Sequence, residues 1–92
     1  MRYEIKPTSR FKKDVKLAKK QKKNLDEMYD VIDTLAKGEK LDPKYKDHGL
    51  EGKFKGCREC HIEPNWLLMY EYIDDTLVLV LNRVGSHSEL FR

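Results

Sequence analysis

The sequence predicts a small α+β domain in which two antiparallel helices pack on one four-stranded, mostly antiparallel sheet, in the chain order β-α-α-β-β-β. The chain has 92 residues, enough for a single domain over residues 1–92 with one thin core. Apolar residues recur at helical spacing in the first half, and three extended apolar runs fill the second half. Because a helix with one apolar stripe cannot bury it alone, both helices need the sheet.

The chain begins with a predicted strand and a predicted helix. Residues 3–6 alternate between apolar and polar side chains, and the run stops at Pro7, which has no amide hydrogen to donate. Either Thr8 or Ser9 can cap a helix. The apolar spacing that follows predicts this first helix to about Lys23.

A second helix and a loop come next. Asn24, with an acidic residue three positions later, predicts a helix start, and Gly38 predicts its end. Residues 39–52 contain two glycines and a proline without clear periodicity, and they are predicted to form a loop. A structureless connection of this length is uncommon in a small domain unless it has a function, which draws attention to His48 within it.

The second half predicts a meander of three strands at residues 54–62, 66–73 and 77–84, separated by short turn-forming breaks. The last of these strands is apolar on both faces at residues 77–81, so it should be central, with the first strand parallel beside it. The tail at residues 85–92 is too short for more than one helical turn.

Positive charge is concentrated in the first half. The formal net charge is +3, but residues 1–46 hold 14 basic and 8 acidic residues whereas residues 47–92 hold 5 and 8. Eight of the basic residues lie between Arg10 and Lys23, opposed there only by Asp14, so a polyanion is a natural partner. Charge alone leaves a solvated helix face equally open. Without an apolar run of roughly 18 residues or a signal peptide, we expect a cytoplasmic protein with no membrane contact.

The two cysteines, Cys57 and Cys60, are expected to be free thiols in a reducing compartment. Strand alternation directs them to opposite faces, whereas a zinc site needs about four converging nitrogen or sulfur ligands. We therefore expect no metal, and a chain of this size leaves little room for a large organic cofactor.

Glu59 and His61 share a face of the middle strand, with Cα atoms about 7 Å apart, close enough to cooperate on one proton. Surface strands also show such pairs by chance, so the pair alone does not decide. All three histidines lie in the second half, each beside a loop or a strand end: His48, His61 and His87. An imidazole donates or accepts a proton near neutral pH without strong tuning.

These residues suit metal-free cleavage of RNA, in which the 2′-hydroxyl attacks the adjacent phosphodiester. Because that nucleophile is already tethered, the protein supplies only positioning, a base, an acid and cations. Arg58 or Arg83 and the lysines are the candidate cations. The sequence shows no Ser/His/Asp arrangement, acidic metal loop or glycine-rich phosphate cradle, which disfavours other hydrolase chemistries.

Three segments carry a more specific signal: YKDHGL at 45–50, GCRECHIEPNWLLMY at 56–70 and RVGSHSELF at 83–91. Together they closely resemble the YafQ family of bacterial toxins within the RelE/ParE superfamily, over essentially the whole chain. The resemblance implies a RelE-like fold and the toxin of a type II toxin–antitoxin system. It also implies a ribosome-dependent messenger RNA endonuclease that inhibits translation and that a cognate antitoxin holds inactive.

The resemblance implies roles for particular residues. The family's two site histidines match His48 and His61, and its general acid matches His87. Its closing aromatic, which helps to position the RNA, matches Phe91. Where the family commonly has aspartate after Glu-Pro, this chain has Asn65, and an amide cannot accept a proton at neutral pH.

The resulting hypothesis makes His87 the acid that protonates the leaving 5′-oxygen and His61 the holder of the scissile phosphate. The base on the 2′-hydroxyl is either His48 or Glu59. The expected substrate-binding residues are Arg83, Phe91, Asn65 and Lys53. The expected contacts with ribosomal RNA are lysines of the first helix: Lys12, Lys13, Lys16, Lys19 and Lys20.

We expect the antitoxin to contribute an acidic segment that orders over the first helix or the mouth of the site. Two toxins and two antitoxins are one expected assembly, and operator DNA would be contacted only through the antitoxin. The alternative, from the same superfamily, is a ParE-like protein that inhibits DNA gyrase by binding, which has no need of three histidines. A small basic RNA-binding protein is a third alternative, disfavoured because the sequence lacks the aromatic strand of a stacking platform.

Overall fold

A five-stranded mixed sheet carries two helices on one face in the computed structural model, which describes residues 2–91. The strands are β1 (Glu4–Pro7), β2 (His48–Gly49), β3 (Arg58–Glu63), β4 (Trp66–Ile73) and β5 (Val78–Gly85). The helices are α1 (Ser9–Lys20), α2 (Leu25–Ala36) and a single turn, α3 (His87–Leu90). Arg92, the end of the predicted tail, and Met1 lie outside the described residues.

The strand order in the sheet is β1-β5-β4-β3-β2. β1 runs parallel to β5, whereas β3, β4 and β5 form an antiparallel meander, as the sequence predicted. β5 lies between β1 and β4, as its apolar residues predicted, and helix α1 covers one of its faces. The sequence predicted four of these strands, and β2 is a fifth that pairs with β3 through only two residues.

Both long helices begin at the caps that the sequence predicted. The side chains of Thr8 and Asn24 each accept a hydrogen bond from the backbone N–H three residues later. α1 ends at Lys20, before the predicted end, because Lys22 adopts a left-handed conformation with φ 58°. Within residues 2–91, no helix has the length and apolar character needed to cross a bilayer.

The main core lies between the helices and the sheet. Its members include the large buried side chains Met28, Trp66, Leu68, Tyr70 and Leu79. Because side chains alternate along β4, Leu67 and Met69 face the other side, where they form a smaller cluster with Leu90. This second face of the sheet is the one that carries most of the predicted site.

The predicted loop at residues 39–52 contains more structure than its composition indicates. A 3₁₀ turn at Pro43–Tyr45 precedes β2, and a second 3₁₀ turn at Gly52–Phe54 follows it. This second turn, together with Gly56, whose φ is 98°, delays the start of β3 to Arg58. Residues 54–57, which were predicted as the start of the strand, therefore precede it. Phe54 and Cys57 among them pack against the smaller cluster.

Candidate active site

Strands β2 and β3 bring His48, Glu59 and His61 together on the face of the sheet away from the helices. His48 lies opposite Glu59 in the sheet register, and His61 follows two residues along the same strand. The rings of His48 and His61 have centroids 6.3 Å apart. The predicted common face of Glu59 and His61 is confirmed, since Cys60 between them belongs to the main core.

Glu59 is the centre of this group. Its Oε1 atom lies 3.4 Å from Nε2 of His48 and 3.8 Å from Nε2 of His61. The Glu59 side chain is 6% exposed, against 50% for His48 and 28% for His61. Among the described residues, Oε2 of Glu59 is buried without a hydrogen-bond partner. A buried carboxylate thus lies behind two more accessible imidazoles, and protonation of either ring would supply it with a counterion.

The other nitrogen of each ring faces a backbone carbonyl. Nδ1 of His48 lies 2.8 Å from the carbonyl oxygen of Lys46, and Nδ1 of His61 lies 3.3 Å from that of Pro64. A carbonyl oxygen only accepts, so both Nδ1 atoms carry hydrogen, an assignment made from the partners. Nε2 is then the basic nitrogen of each neutral ring. Each ring can take up a proton there, beside the carboxylate of Glu59.

His87 is separated from the other two histidines by the width of strand β4. Leu67 pairs with His61 on one side and with Gly85 on the other, which places Gly85 about 10 Å from His61. His87 begins α3 two residues later, and its backbone N–H donates to Oδ1 of Asn65 at 3.2 Å. Asn65 therefore ties the turn before β4 to the start of α3.

A row of aromatic and cationic side chains continues from His87. The ring of His87 lies 4.9 Å from that of Phe91, which meets the ring of Phe54 edge to face at 5.3 Å. Nζ of Lys53 lies 5.4 Å from the centroid of Phe54. We call these four residues the aromatic row. Flat rings of this kind stack with unpaired nucleobases, and the lysine adds a cation for phosphate.

Arg83 is placed apart from the other predicted substrate-binding residues. Its guanidinium donates two hydrogen bonds to Asp14 of α1, at 2.8 and 3.1 Å, and Asp14 also accepts from the backbone N–H of Val84. The hydrogen bonds from Arg83 to Asp14 raise the pKa of the guanidinium. Arg83 thus fixes α1 to β5 and contacts the helix rather than the group around Glu59.

The remaining predicted residues are the lysines of α1 and the two cysteines. The α1 lysines predicted to contact ribosomal RNA are all exposed: Lys12, Lys13, Lys16, Lys19 and Lys20. Both cysteines are free thiols, as predicted. Burial raises the pKa of the Cys60 thiol to about 12, and burial raises that of Cys57 as well, so both stay protonated near neutral pH.

The sequence analysis missed a polar group beneath this site. Asp47, directly before His48, accepts a hydrogen bond from the hydroxyl of Tyr70 and another from the guanidinium of Arg58 at 3.1 Å. Arg58 and Tyr70 are paired across β3 and β4. Two signals could have found the group: the adjacency of Asp47 to His48, and the alternation that puts Arg58 and Cys60 on one face.

The fold and the site together define a small α+β protein that presents a histidine–carboxylate centre, an aromatic row and a lysine-rich helix, a set suited to acid–base chemistry on an anionic chain. Residues 3–92 match the family model described as the bacterial toxin of a type II toxin–antitoxin system, YafQ. The chain therefore belongs to the YafQ family of toxins.

Known relatives support the same assignment over the full length of the chain. The mRNA interferase toxin YafQ of Escherichia coli strain K12 is 37% identical over 89 residues, which cover 96% of this chain and 95% of that protein. The structure of the E. coli DinJ-YafQ toxin-antitoxin complex matches with a TM-score of 0.90 at 35% identity, covering 100% of both chains. A metal-bound toxin from Helicobacter pylori matches with a TM-score of 0.92 at 44% identity, covering 99% of this chain and 100% of that one. The predicted fold class and family are thereby confirmed.

Proposed function

We propose that this chain is a messenger RNA endoribonuclease that cleaves ribosome-bound transcripts in the cytoplasm without a metal. The observation that carries the proposal is the position of Glu59, whose Oε1 atom lies within 3.8 Å of Nε2 of both His48 and His61. Acid and base groups at this spacing suit removal of the 2′-hydroxyl proton. The relative named mRNA interferase, which is similar over 96% of this chain, supports the same substrate.

In the proposed reaction the 2′-oxygen attacks the adjacent phosphorus, and the bond from phosphorus to the 5′-oxygen breaks. Nε2 of His48 accepts the 2′-hydroxyl proton, because His48 is the exposed member of its pair with Glu59. Glu59 stabilises the resulting imidazolium. Protonated His61 holds the phosphate, and His87 donates a proton to the leaving 5′-oxygen. The products end in a 2′,3′-cyclic phosphate and a 5′-hydroxyl.

The other predicted residues, apart from Arg83, position the RNA around this centre. The aromatic row stacks the bases that flank the scissile bond, and Lys53 within it pairs with phosphate. Asn65 acts through its hydrogen bond to the backbone of His87 rather than as a base. The exposed lysines of α1 contact ribosomal RNA without reading its sequence.

A cognate antitoxin is the proposed protein partner. The DinJ-YafQ complex is a toxin–antitoxin assembly of a relative that matches this whole chain. An acidic antitoxin segment complements the lysines of α1, and it would order on binding. The expected result is that co-expression of the adjacent small open reading frame restores growth after toxin induction. Failure of every neighbouring gene product to bind or to rescue growth would contradict the partner.

The deciding experiment induces the wild type and the His87→Gln variant and maps messenger RNA 5′ ends with and without ribosomes. We expect new 5′-hydroxyl ends inside coding regions only when ribosomes are present. We expect these ends to persist with a chelator that removes transition metals and spares ribosomal magnesium. Loss of the general acid in His87→Gln should lower cleavage about 10²–10⁴-fold. A gyrase inhibitor would instead give no new ends and would keep its toxicity in His87→Gln.

A further inference from the structure

The strand that presents His48 has little of its own to hold it in place. β2 comprises two residues, both exposed, which pair with Glu59 and Arg58 at one edge of the sheet. One further backbone bond, from the N–H of Leu50 to the carbonyl of Cys57, continues this pairing, so β2 has few hydrogen bonds and little stability by itself. The position of His48 beside Glu59 therefore depends on another anchor.

Asp47 supplies that anchor on the opposite face of the sheet. Successive side chains along an extended segment point to opposite faces, so Asp47 is directed beneath the sheet where His48 is directed above it. Oδ1 of Asp47 accepts from the hydroxyl of Tyr70, and Oδ2 accepts from Nη2 of Arg58. Arg58 is the first residue of β3 and its side chain is 42% exposed, whereas Tyr70 lies within β4 and is fully buried, so Tyr70 is the firmer of the two donors. Burial and the bond to Asp47 both raise the pKa of Tyr70, so its hydroxyl remains a donor.

The same connection sets the orientation of the His48 ring. Lys46 adopts a left-handed conformation, with φ 51° and ψ 43°, which is uncommon for a residue with a side chain. Its carbonyl oxygen lies 2.8 Å from Nδ1 of His48 and so selects the tautomer with the hydrogen on Nδ1. Nε2, the nitrogen near Glu59, then carries no hydrogen in the neutral ring. That carbonyl belongs to the peptide group that joins Lys46 to Asp47. Fixing the side chain of Asp47 therefore fixes the direction of the carbonyl.

We propose that Asp47, Arg58 and Tyr70 form a clamp that positions the imidazole of His48 against Glu59 and holds it in one tautomer. None of the three is placed against the RNA, so they are positioning residues. The link from the clamp to cleavage rests on the proposed function, whereas the link from the clamp to the His48 ring does not.

The test compares Tyr70→Phe with Tyr72→Phe. The two tyrosines lie two residues apart on β4, but the hydroxyl of Tyr72 donates to the carbonyl of Leu35 instead of Asp47. Both substitutions remove one hydroxyl and keep the ring, so they are matched for packing. The first readout is the ¹⁵N chemical shifts of the His48 ring at neutral pH. We expect one Nδ1-protonated form in the wild type and in Tyr72→Phe, and a mixture of tautomers in Tyr70→Phe.

The second readout is the kinetics of cleavage on ribosomes. A loosened imidazole should lower kcat about ten- to a hundredfold in Tyr70→Phe while KM stays within about twofold, and Tyr72→Phe should match the wild type. Asp47→Asn, at a half-buried position, is the second test variant, since its amide offers hydrogen atoms where Asp47 only accepts. If Tyr70→Phe does not fold, Asp47→Asn alone decides, through the same ring signals.

The two readouts separate the clamp from the nuclease. His48 ring signals in Asp47→Asn and Tyr70→Phe that match those of Tyr72→Phe would overturn the clamp, whatever happens to cleavage. A change of tautomer in a protein whose wild type does not cut RNA would support the clamp and reject the nuclease.

Discussion

At the scale of single residues, the proposed reaction divides one proton transfer between an exposed imidazole, His48, and a buried carboxylate, Glu59. If His48 is the base, His48→Gln should lower the single-turnover rate about 10²–10⁴-fold, the usual contribution of a general base. Glu59→Gln should lower this rate less, about tenfold. His48 remains as the base, and only the carboxylate that stabilises its protonated form is lost. Quenched-flow cleavage of ribosome-bound message measures both rates.

A matched control for the Glu59 variant lies on the same strand. Glu63→Gln makes the same change of charge at the far end of β3, outside the group of His48, Glu59 and His61, so its rate should stay near that of the wild type. A Glu59→Gln variant as inactive as His48→Gln would show that the carboxylate itself takes the proton, and the assigned roles of the two residues would be wrong.

How much of the site was predictable follows from how far apart in sequence its parts lie. The common face of Glu59 and His61 follows from the two-residue period of a strand. The meeting of His48 with Glu59 spans 11 residues and depends on a two-residue strand that has no periodic pattern. The bond from Tyr70 to Asp47 spans 23 residues and is fixed by packing, which the local sequence does not specify.

At the scale of elements, the short helix α3 carries His87, the proposed general acid, and Gly85 lets this helix pack closely. A Cβ atom at Gly85 would lie 3.0 Å from Oε1 of Glu89 and 3.3 Å from Cδ2 of Leu90. Glu89 cannot move freely, because its carboxylate accepts from the N–H of Ser86 in the capping box. We expect Gly85→Ala to loosen α3, speed amide exchange at Leu90 and lower kcat about tenfold through displacement of His87.

Gly49→Ala is the size-matched control for this prediction. Its Cβ would meet Nη1 of Arg58 at 3.7 Å, an ordinary contact, so amide exchange in α3 should not change. Amide exchange at Leu90 that is as slow in Gly85→Ala as in the wild type, combined with reduced cleavage, would show that α3 is not the element that the substitution disturbs.

The elements that the sequence predicted well are those with a period or a cap. α1, α2 and β4 have both a regular apolar pattern and clear boundaries, and they appear close to the predicted positions. Boundaries shifted where a left-handed residue breaks the pattern, as at Lys22 after α1 and at Leu77 before β5. Such conformations are uncommon for these residue types, and here they close local turns, in which the N–H of Lys23 donates to the carbonyl of Ala18 and that of Leu77 to the carbonyl of Asp74.

At the scale of the whole molecule, the two proposed RNA-contacting surfaces lie on opposite sides of the sheet. The lysines of α1 project from the helical layer, whereas His48, Glu59 and His61 occupy the other face. An arrangement of this kind lets one side bind the ribosome while the other acts on the message. Binding to the ribosome and cleavage should therefore respond to different substitutions.

The salt dependence of ribosome binding tests this separation. Replacing Lys13, Lys16 and Lys20 together by glutamine should reduce the slope of log K against log salt concentration by about 2 to 3, because each phosphate contact contributes a slope of roughly 0.7 to 0.9. The single-turnover rate at saturating ribosome should stay within about twofold, since these side chains are remote from Glu59.

Lys37→Gln and Lys40→Gln, which remove exposed lysines outside α1, are the controls and should leave the slope unchanged. An unchanged slope in the triple variant would mean that the ribosome is bound through another surface, and a fall in the saturated rate would mean that the two sides do not act independently.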